Sequence, residues 1–375
     1  MKIKNLSKVA IICTFSLGLT SPMVFASTSI QSLRPIDGGT PVIPPTPWSS
    51  TQIQQYTDFL NSHTTFHGKT GDIKASTASN SQLQEYGIPV RPTNPVQLQK
   101  WNQTFGTIKR VIRPQFKVTN ITNQNWGSYE IFGNWCGGIN QDSSLSTTSY
   151  NTTGYQDLEA YVTVPNLAQY TQQNGTISLA TQWVGLGGNT SNLDVSLEQD
   201  GIAEQSNGSA GYTYYPWWED YSNVPNSTYY HAPMVQITNM NINPGDSILL
   251  DTELINNGTE MQFFVDDLSN GTFSGFFDEP TDGDVSNNCA EWISEDPGNG
   301  AGGLYSLANY GICNFTNASF SYGTESSYNT VPPTDLPTST SSDFGINTVD
   351  NGTTLQTVSS LTGSDNAFTT TWDNY

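Results

Sequence analysis

From residue 118 onward the chain alternates short apolar and polar runs between turn signals. Ser247 to Leu254 reads as a strand, Asn256-Asn257-Gly258 as a hairpin turn, and Glu260 to Asp267 as the returning strand. Ser269-Asn270-Gly271 turns again before Thr272 to Phe277. Tyr161 to Val164 and Thr181 to Val184 are further strands. In Cys289 to Glu295 the residues 289, 291, 293 and 295 share one face and 290, 292 and 294 the other. The Ser/Thr-rich stretch from Tyr328 to Ser342 reads as a linker, and alternation resumes at Ile346 to Val349 and Ala367 to Trp372. No helical period and no internal repeat emerges in this part. The pattern predicts one all-β domain over 118–375, an antiparallel β-sandwich of the concanavalin-like or jelly-roll type. Ahead of it the period changes. Ile53, Tyr56, Phe59 and Leu60 fall at helical spacing, and Val96 to Trp101 opens a second possible helix.

The N-terminus is an address. Lys2, Lys4 and Lys8 precede an apolar run from Val9 to Leu19, and Val24-Phe25-Ala26 offers a small-residue cleavage site. Residues 1–26 therefore read as a secretory signal peptide. No other stretch approaches the roughly 18 apolar residues that span a bilayer. The expected product is secreted and extracellular, with no membrane or nucleic-acid partner, and monomeric.

Charge divides the chain in two. All 12 Lys and Arg lie at or before Lys117, beside only Asp37, Asp58, Asp72 and Glu85, a formal +8. The other 29 of the 33 acids lie in 118–375, which has no Lys or Arg and carries a formal −29. A domain without Lys or Arg has no such salt bridge to lose when its carboxylates protonate, the usual route of acid denaturation. In acid its self-repulsion also disappears. The composition fits a protein that works in an acidic medium. The basic leader, 27–117, Pro-rich from Pro35 to Pro47, then reads as a propeptide held to the domain at neutral pH and released in acid.

Candidate chemistry is restricted. Cys136, Cys289 and Cys313 remain once the signal peptide is removed; secretion favours a disulfide, and Cys289–Cys313 is the expected pair. His231 is the one histidine after residue 117, which argues against a His-rich zinc site, a Cys–His pair or a Ser-His-Asp triad. There is no Gly-x-Ser-x-Gly elbow and no Asp-Thr/Ser-Gly pair, and no metal or cofactor is expected. Carboxylates, amides and aromatics are left. Glu291, set between Cys289 and Ile293 on one strand face, is the foremost acid or base candidate.

Five motifs occur in order: Thr181-Gln182-Trp183-Val184-Gly185-Leu186-Gly187-Gly188, Leu197-Glu198-Gln199-Asp200-Gly201, Trp217-Trp218-Glu219-Asp220-Tyr221, Asn243-Pro244-Gly245-Asp246-Ser247-Ile248 and Ala290-Glu291-Trp292-Ile293-Ser294-Glu295-Asp296. Together they resemble the eqolisins, the secreted glutamic peptidases. The resemblance implies a sandwich of two large antiparallel sheets, a proenzyme active in acid, polypeptide substrates, and a catalytic dyad mapping onto Gln199 and Glu291. It also implies that Trp183, Trp217, Glu219 and Tyr221 line the cleft. The Asn-Trp motif expected to open such a domain fits both Asn125-Trp126 and Asn134-Trp135, with Trp126 favoured. Two departures stand out. Gly187 occupies a position where the family often carries an acid, and the cysteines differ in placement from the fungal members.

In such a dyad Glu291 takes a proton from water and returns it to the leaving amine, while the Gln199 amide donates to the tetrahedral oxygen. Two other readings compete. A carbohydrate-binding or glycoside-cleaving sandwich could use Glu219 and Glu291 as its carboxylate pair, although no Glu-x-Asp-x-x-Glu signature is present. A non-catalytic surface protein would fit the Asn, Thr and Ser content.

Overall fold

The computed structural model describes residues 48–121, 134–172, 177–188, 196–222, 232–281, 285–299, 304–324, 329–331, 344–346, 349–350, 353–361 and 367–373. Two large, mostly antiparallel sheets stack face to face. The back sheet runs Gly71–Asp72, Arg110–Val111, Thr272–Phe273, Glu260–Asp267, Ser247–Ile255, Gly154–Thr163, Ile312–Gly323, Phe368–Trp372, Gln356–Val358 in space. The front sheet runs Phe344–Ile346, Trp135–Gln141, Cys289–Glu295, Ser178–Gly187, Ser196–Ser206, Tyr212–Ser222, Val235–Ile237, Phe116–Val118. The β-sandwich expected from the alternation is the fold observed.

The hairpin between Ser247–Ile255 and Glu260–Asp267 forms as expected, in register Ile255 opposite Glu260. Its turn places Asn256, Asn257 and Gly258 at φ of 54°, 59° and 75°, the left-handed region that Asn and Gly tolerate best. The single strand expected over Thr272–Phe277 is two, Thr272–Phe273 and Phe277–Pro280. Gly275, at φ 71°, lies in the break between them.

Between the sheets lies the main core. Leu158, Ala160, Val162, Ile248, Leu250, Phe263 and Val265 of the back sheet meet Ala180, Val184, Leu186, Ile202, Trp218, Ala290 and Trp292 of the front sheet. The alternate residues of the front strands point the other way, into a second cluster that includes Trp135, Ile139, Trp183, Leu197, Trp217, Tyr221, Cys289 and Ile293. The front sheet is thus buried on both faces, and the functional candidates lie on the outer one.

The leader forms both expected helices, Ser50–His63 and Pro95–Thr104, and a short third one, Asn80–Glu85. Ser49 and Gln52 make a capping box at the first, and the Asn94 side chain caps the second. Leader residues Leu83, Ile88, Trp101, Phe105, Ile108 and Val111 pack on Leu249, Phe264, Phe273 and Phe276, the outer surface of the back sheet. This part of the leader therefore sits on the side of the sandwich away from the functional candidates, while Tyr56 and Leu60 of its first helix pack into the core between the sheets. Its last strand, Phe116–Val118, pairs with Val235–Ile237 at the edge of the front sheet, so the expected 117/118 boundary falls inside a strand. The signal peptide, the Pro-rich stretch and His231 lie outside the described residues.

The expected Cys289–Cys313 disulfide is not formed; Cys136, Cys289 and Cys313 are all free and buried. Topology explains the correction. Cys289 belongs to the outer cluster of the front sheet and Cys313 to the core between the sheets. A sheet therefore separates the two sulfurs, beyond the reach of a disulfide.

Candidate active site

Strand register assembles the site. Ile139 lies opposite Glu291, Glu291 opposite Gly185, Gly185 opposite Gln199, and Gln199 opposite Glu219. Side chains opposite one another in a sheet share a face. Glu291, Gln199 and Glu219 therefore form one row on the outer face of the front sheet, with glycine between the first two. Two strand spacings separate the Glu291 and Gln199 backbones, about 9–10 Å. Gly185, with no side chain of its own, lies between them.

The next row repeats the device: Ile293, Trp183, Gly201 and Trp217 lie opposite one another. A Cβ on Gly201 would stand 2.7 Å from the Trp217 ring and 2.8 Å from Trp183 Cβ. Glycine there lets two indoles occupy neighbouring space. Tyr221, opposite Leu197, closes the other flank of the dyad row.

Hydrogen bonds fix the acids and aromatics. Gln199 Nε2 donates to Glu219 Oε2 at 2.6 Å. A carboxylate accepts only, so this contact sets the amide nitrogen toward Glu219. The amide carries a second hydrogen, which has no acceptor among the described residues. Glu295, on the same strand face as Glu291, accepts from Trp183 Nε1 at 2.8 Å and Asn134 Nδ2 at 2.7 Å. Desolvation pushes its carboxyl up to about 8 against those bonds. Trp135 meets Trp183 edge-on at 5.1 Å between ring centroids. Gln199, Glu219, Glu291, Trp183 and Trp217 are all fully buried.

The structure thus gathers Gln199, Glu291, Glu219, Trp183, Trp217 and Tyr221 on one face. Trp126 lies outside the described residues, while Trp135 is found beside Trp183. Sequence reading missed the two glycines as spacers and Glu295 as the group holding Trp183. The four-residue interval from Glu291 to Glu295 signals a shared strand face and was the available clue.

Gly185 supplies a direct test. A Cβ there would meet Gln199 Cβ and Glu198 O at 3.0 Å and Trp183 Cζ3 at 3.1 Å. Gly185→Ala is expected to displace the amide and lower kcat/KM by roughly 10–10²-fold, with the fold retained by circular dichroism. Unchanged kcat/KM would show that the spacing of Gln199 and Glu291 across Gly185 does not matter to activity.

The model of the Peptidase A4 family matches residues 133–372, from one residue before Asn134-Trp135 to the last strand. The chain belongs to the Peptidase A4 family. Among solved structures it is similar to scytalido-glutamic peptidase with a transition state analog inhibitor, at 19% identity over 64% of this chain and 98% of that one, TM-score 0.45. It is likewise similar to aspergilloglutamic peptidase from Aspergillus niger, at 24% identity over 52% and 99%, TM-score 0.41. SCP-B, a member of the eqolisin family in complex with the tripeptide Ala-Ile-His, matches at 18% identity over 64% and 98%, TM-score 0.44. The curated proteins yield no match. The family match bears out the eqolisin resemblance read from the motifs, and this A4-family protein is a glutamic peptidase. The Asn134-Trp135 motif falls inside the family match, and Asn125-Trp126 precedes it.

Proposed function

We propose that this A4 peptidase is a secreted, acid-active endopeptidase, made as a proenzyme, in which Glu291 activates water and Gln199 stabilises the oxyanion. The observation that carries the reading is the row Glu291–Gly185–Gln199–Glu219. A water held over Gly185 lies within reach of the Glu291 carboxylate. A peptide carbonyl placed against it presents its oxygen to the second amide hydrogen of Gln199. As the water attacks, its proton passes to Glu291, the carbonyl oxygen gains charge, and the amide stabilises that charge. Glu291 then delivers the proton to the departing nitrogen, and the C–N bond breaks. Glu219 keeps the amide turned the right way throughout, and Trp183 and Trp217 offer apolar walls for substrate side chains.

Hydrolysis of a peptide substrate from pH 2 to 7, with Glu291→Gln and Gln199→Ala beside the wild type, tests the reading. An activity confined to acid and lost in both variants is expected. Release of reducing sugar from polysaccharide, with casein left intact at pH 3, would favour the glycosidase reading instead.

The leader fits the proenzyme part of the proposal. Ile121, just past its last strand, is packed into the outer cluster of the front sheet. Lys100 pairs with Glu159 and His67 with Asp278, at 2.6 Å for the latter, so leader cations meet domain acids on the back sheet. The hydrogen bond to Asp278, opposed by burial, raises the His67 pKa. Each pair adds attraction between leader and domain, and losing one loosens the docking. Lys100→Met is therefore expected to move the pH at which the full-length chain processes itself upward, read on gels after incubation across pH 3–7. An unmoved midpoint would remove Lys100 from the latch.

A further inference from the structure

Cys289 stands two residues before Glu291 on the same strand face and is fully buried. Its Sγ lies 3.5 Å from Glu291 Oε1, 3.3 Å from the carbonyl oxygen of Gly187 and 3.6 Å from Asn288 Oδ1. The neighbouring strand is rigid at that point. Gly187 has φ +83°, and a Cβ there would stand 2.5 Å from Ser286 O and 2.8 Å from Ser196 O. No side chain can be accommodated at Gly187, so its carbonyl is a fixed anchor for the thiol.

We infer that Cys289 is a positioning residue for Glu291, its sulfur seated between the Gly187 carbonyl and the Glu291 carboxyl and limiting where that carboxyl can rotate. This rests on Glu291 being the reacting carboxyl group. A thiol suits the task because its S–H is a weak donor and its sulfur a weak acceptor. Its one hydrogen goes to Glu291 Oε1 while that group is ionised. Once Glu291 carries the proton taken from water, the carboxylic O–H donates to the sulfur and the S–H turns to the Gly187 carbonyl. The contact therefore persists through both halves of the cycle, with no bond made or broken at sulfur. Apolar alternatives at this position, Ala or Val, keep the burial and lose the contact.

Cys289→Ala, Cys289→Ser and Cys136→Ala, each in the full-length chain after acid processing, test the inference. Cys136 is a second buried thiol, opposite Ser294 and so on the other face of the sheet. Cys289→Ala is expected to lower kcat about tenfold, the worth of one hydrogen bond to a charged group, with KM within about twofold. Cys289→Ser recovers most of the loss, and Cys136→Ala is silent. The infrared S–H stretching band that vanishes in Cys289→Ser is expected to shift in Glu291→Gln. Wild-type kcat in folded Cys289→Ala, or an S–H band indifferent to Glu291→Gln, overturns the inference; if Cys289→Ala does not fold, the band decides. Wild-type turnover in Glu291→Gln itself would instead overturn the dyad.

Discussion

Glu291→Gln is expected to lower kcat by about 10²–10⁴-fold, the usual worth of a general base, with KM changed little and thermal unfolding unaltered. The substitution keeps the side chain's size within a fully buried site but replaces the proton acceptor by an amide that cannot take a proton from water. Gln199→Ala removes one oxyanion donor and is expected to cost about 10²–10³-fold. Because both groups act on one tetrahedral centre, the double variant is expected to lose much less than the product of the two single losses. Full additivity would place the residues in separate steps. Retention of more than a tenth of wild-type kcat in Glu291→Gln would reassign the base, and Glu219, bonded to the same amide, would be the next carboxylate to test.

The strands with turn chemistry were legible in the sequence to within a residue or two. Glu260–Asp267 coincides with its expected bounds because Asn256, Asn257 and Gly258 force the reversal before it. Ser196–Ser206 and Tyr212–Ser222 gave no such signal. Their faces are nearly all buried, Leu197, Gln199 and Ala203 outward and Glu198, Asp200 and Ile202 inward. Two buried faces, each mixing polar and apolar residues, erase the alternation that marks a strand. The motifs named Gln199 and Glu291, but only register could align them: 92 residues apart, they meet because both strands pair with Ser178–Gly187 at the same glycine. The disulfide expectation failed for a related reason. Cysteine counts and compartment are blind to which face of a sheet each thiol occupies.

The leader's position was equally hidden. Its charge foretold attraction to the domain, yet the helices Asn80–Glu85 and Pro95–Thr104 lie on the outer surface of the back sheet, and Ser50–His63 packs Tyr56 and Leu60 into the core between the sheets. A basic segment can be drawn to any acidic surface. What chose this one was apolar fit, Trp101, Phe105 and Val111 against Phe264, Phe273 and Phe276, with Lys100 then meeting Glu159.

Processed protein, freed of the leader, is expected to be most stable near pH 3–4 and to lose stability steeply from about pH 5 upward. The cause is a set of buried carboxyl groups that 118–375 has no Lys or Arg to pair with. Desolvation pushes Glu295, on the front sheet, up to about 8. Burial also raises Asp200 and Glu204, likewise on a front-sheet strand, well above their ordinary range. In the unfolded chain the same groups release their protons near pH 4. Between that pH and the folded values the native state holds more protons than the unfolded one, so unfolding becomes easier as pH rises. A carboxyl with a folded value of about 8 thereby costs roughly 3 kcal/mol by pH 7, and a few such groups together rival the roughly 5–15 kcal/mol of a whole domain. Below pH 4 both states are protonated and the penalty vanishes. Calorimetric unfolding temperatures from pH 3 to 8 check this. Glu204→Gln, which keeps the shape and removes one titrating group from the sandwich core, is expected to be nearly neutral at pH 3 and stabilising at pH 7. A wild-type unfolding temperature that is flat or rises between pH 4 and 7 would mean that these carboxyls are ionised in the native state.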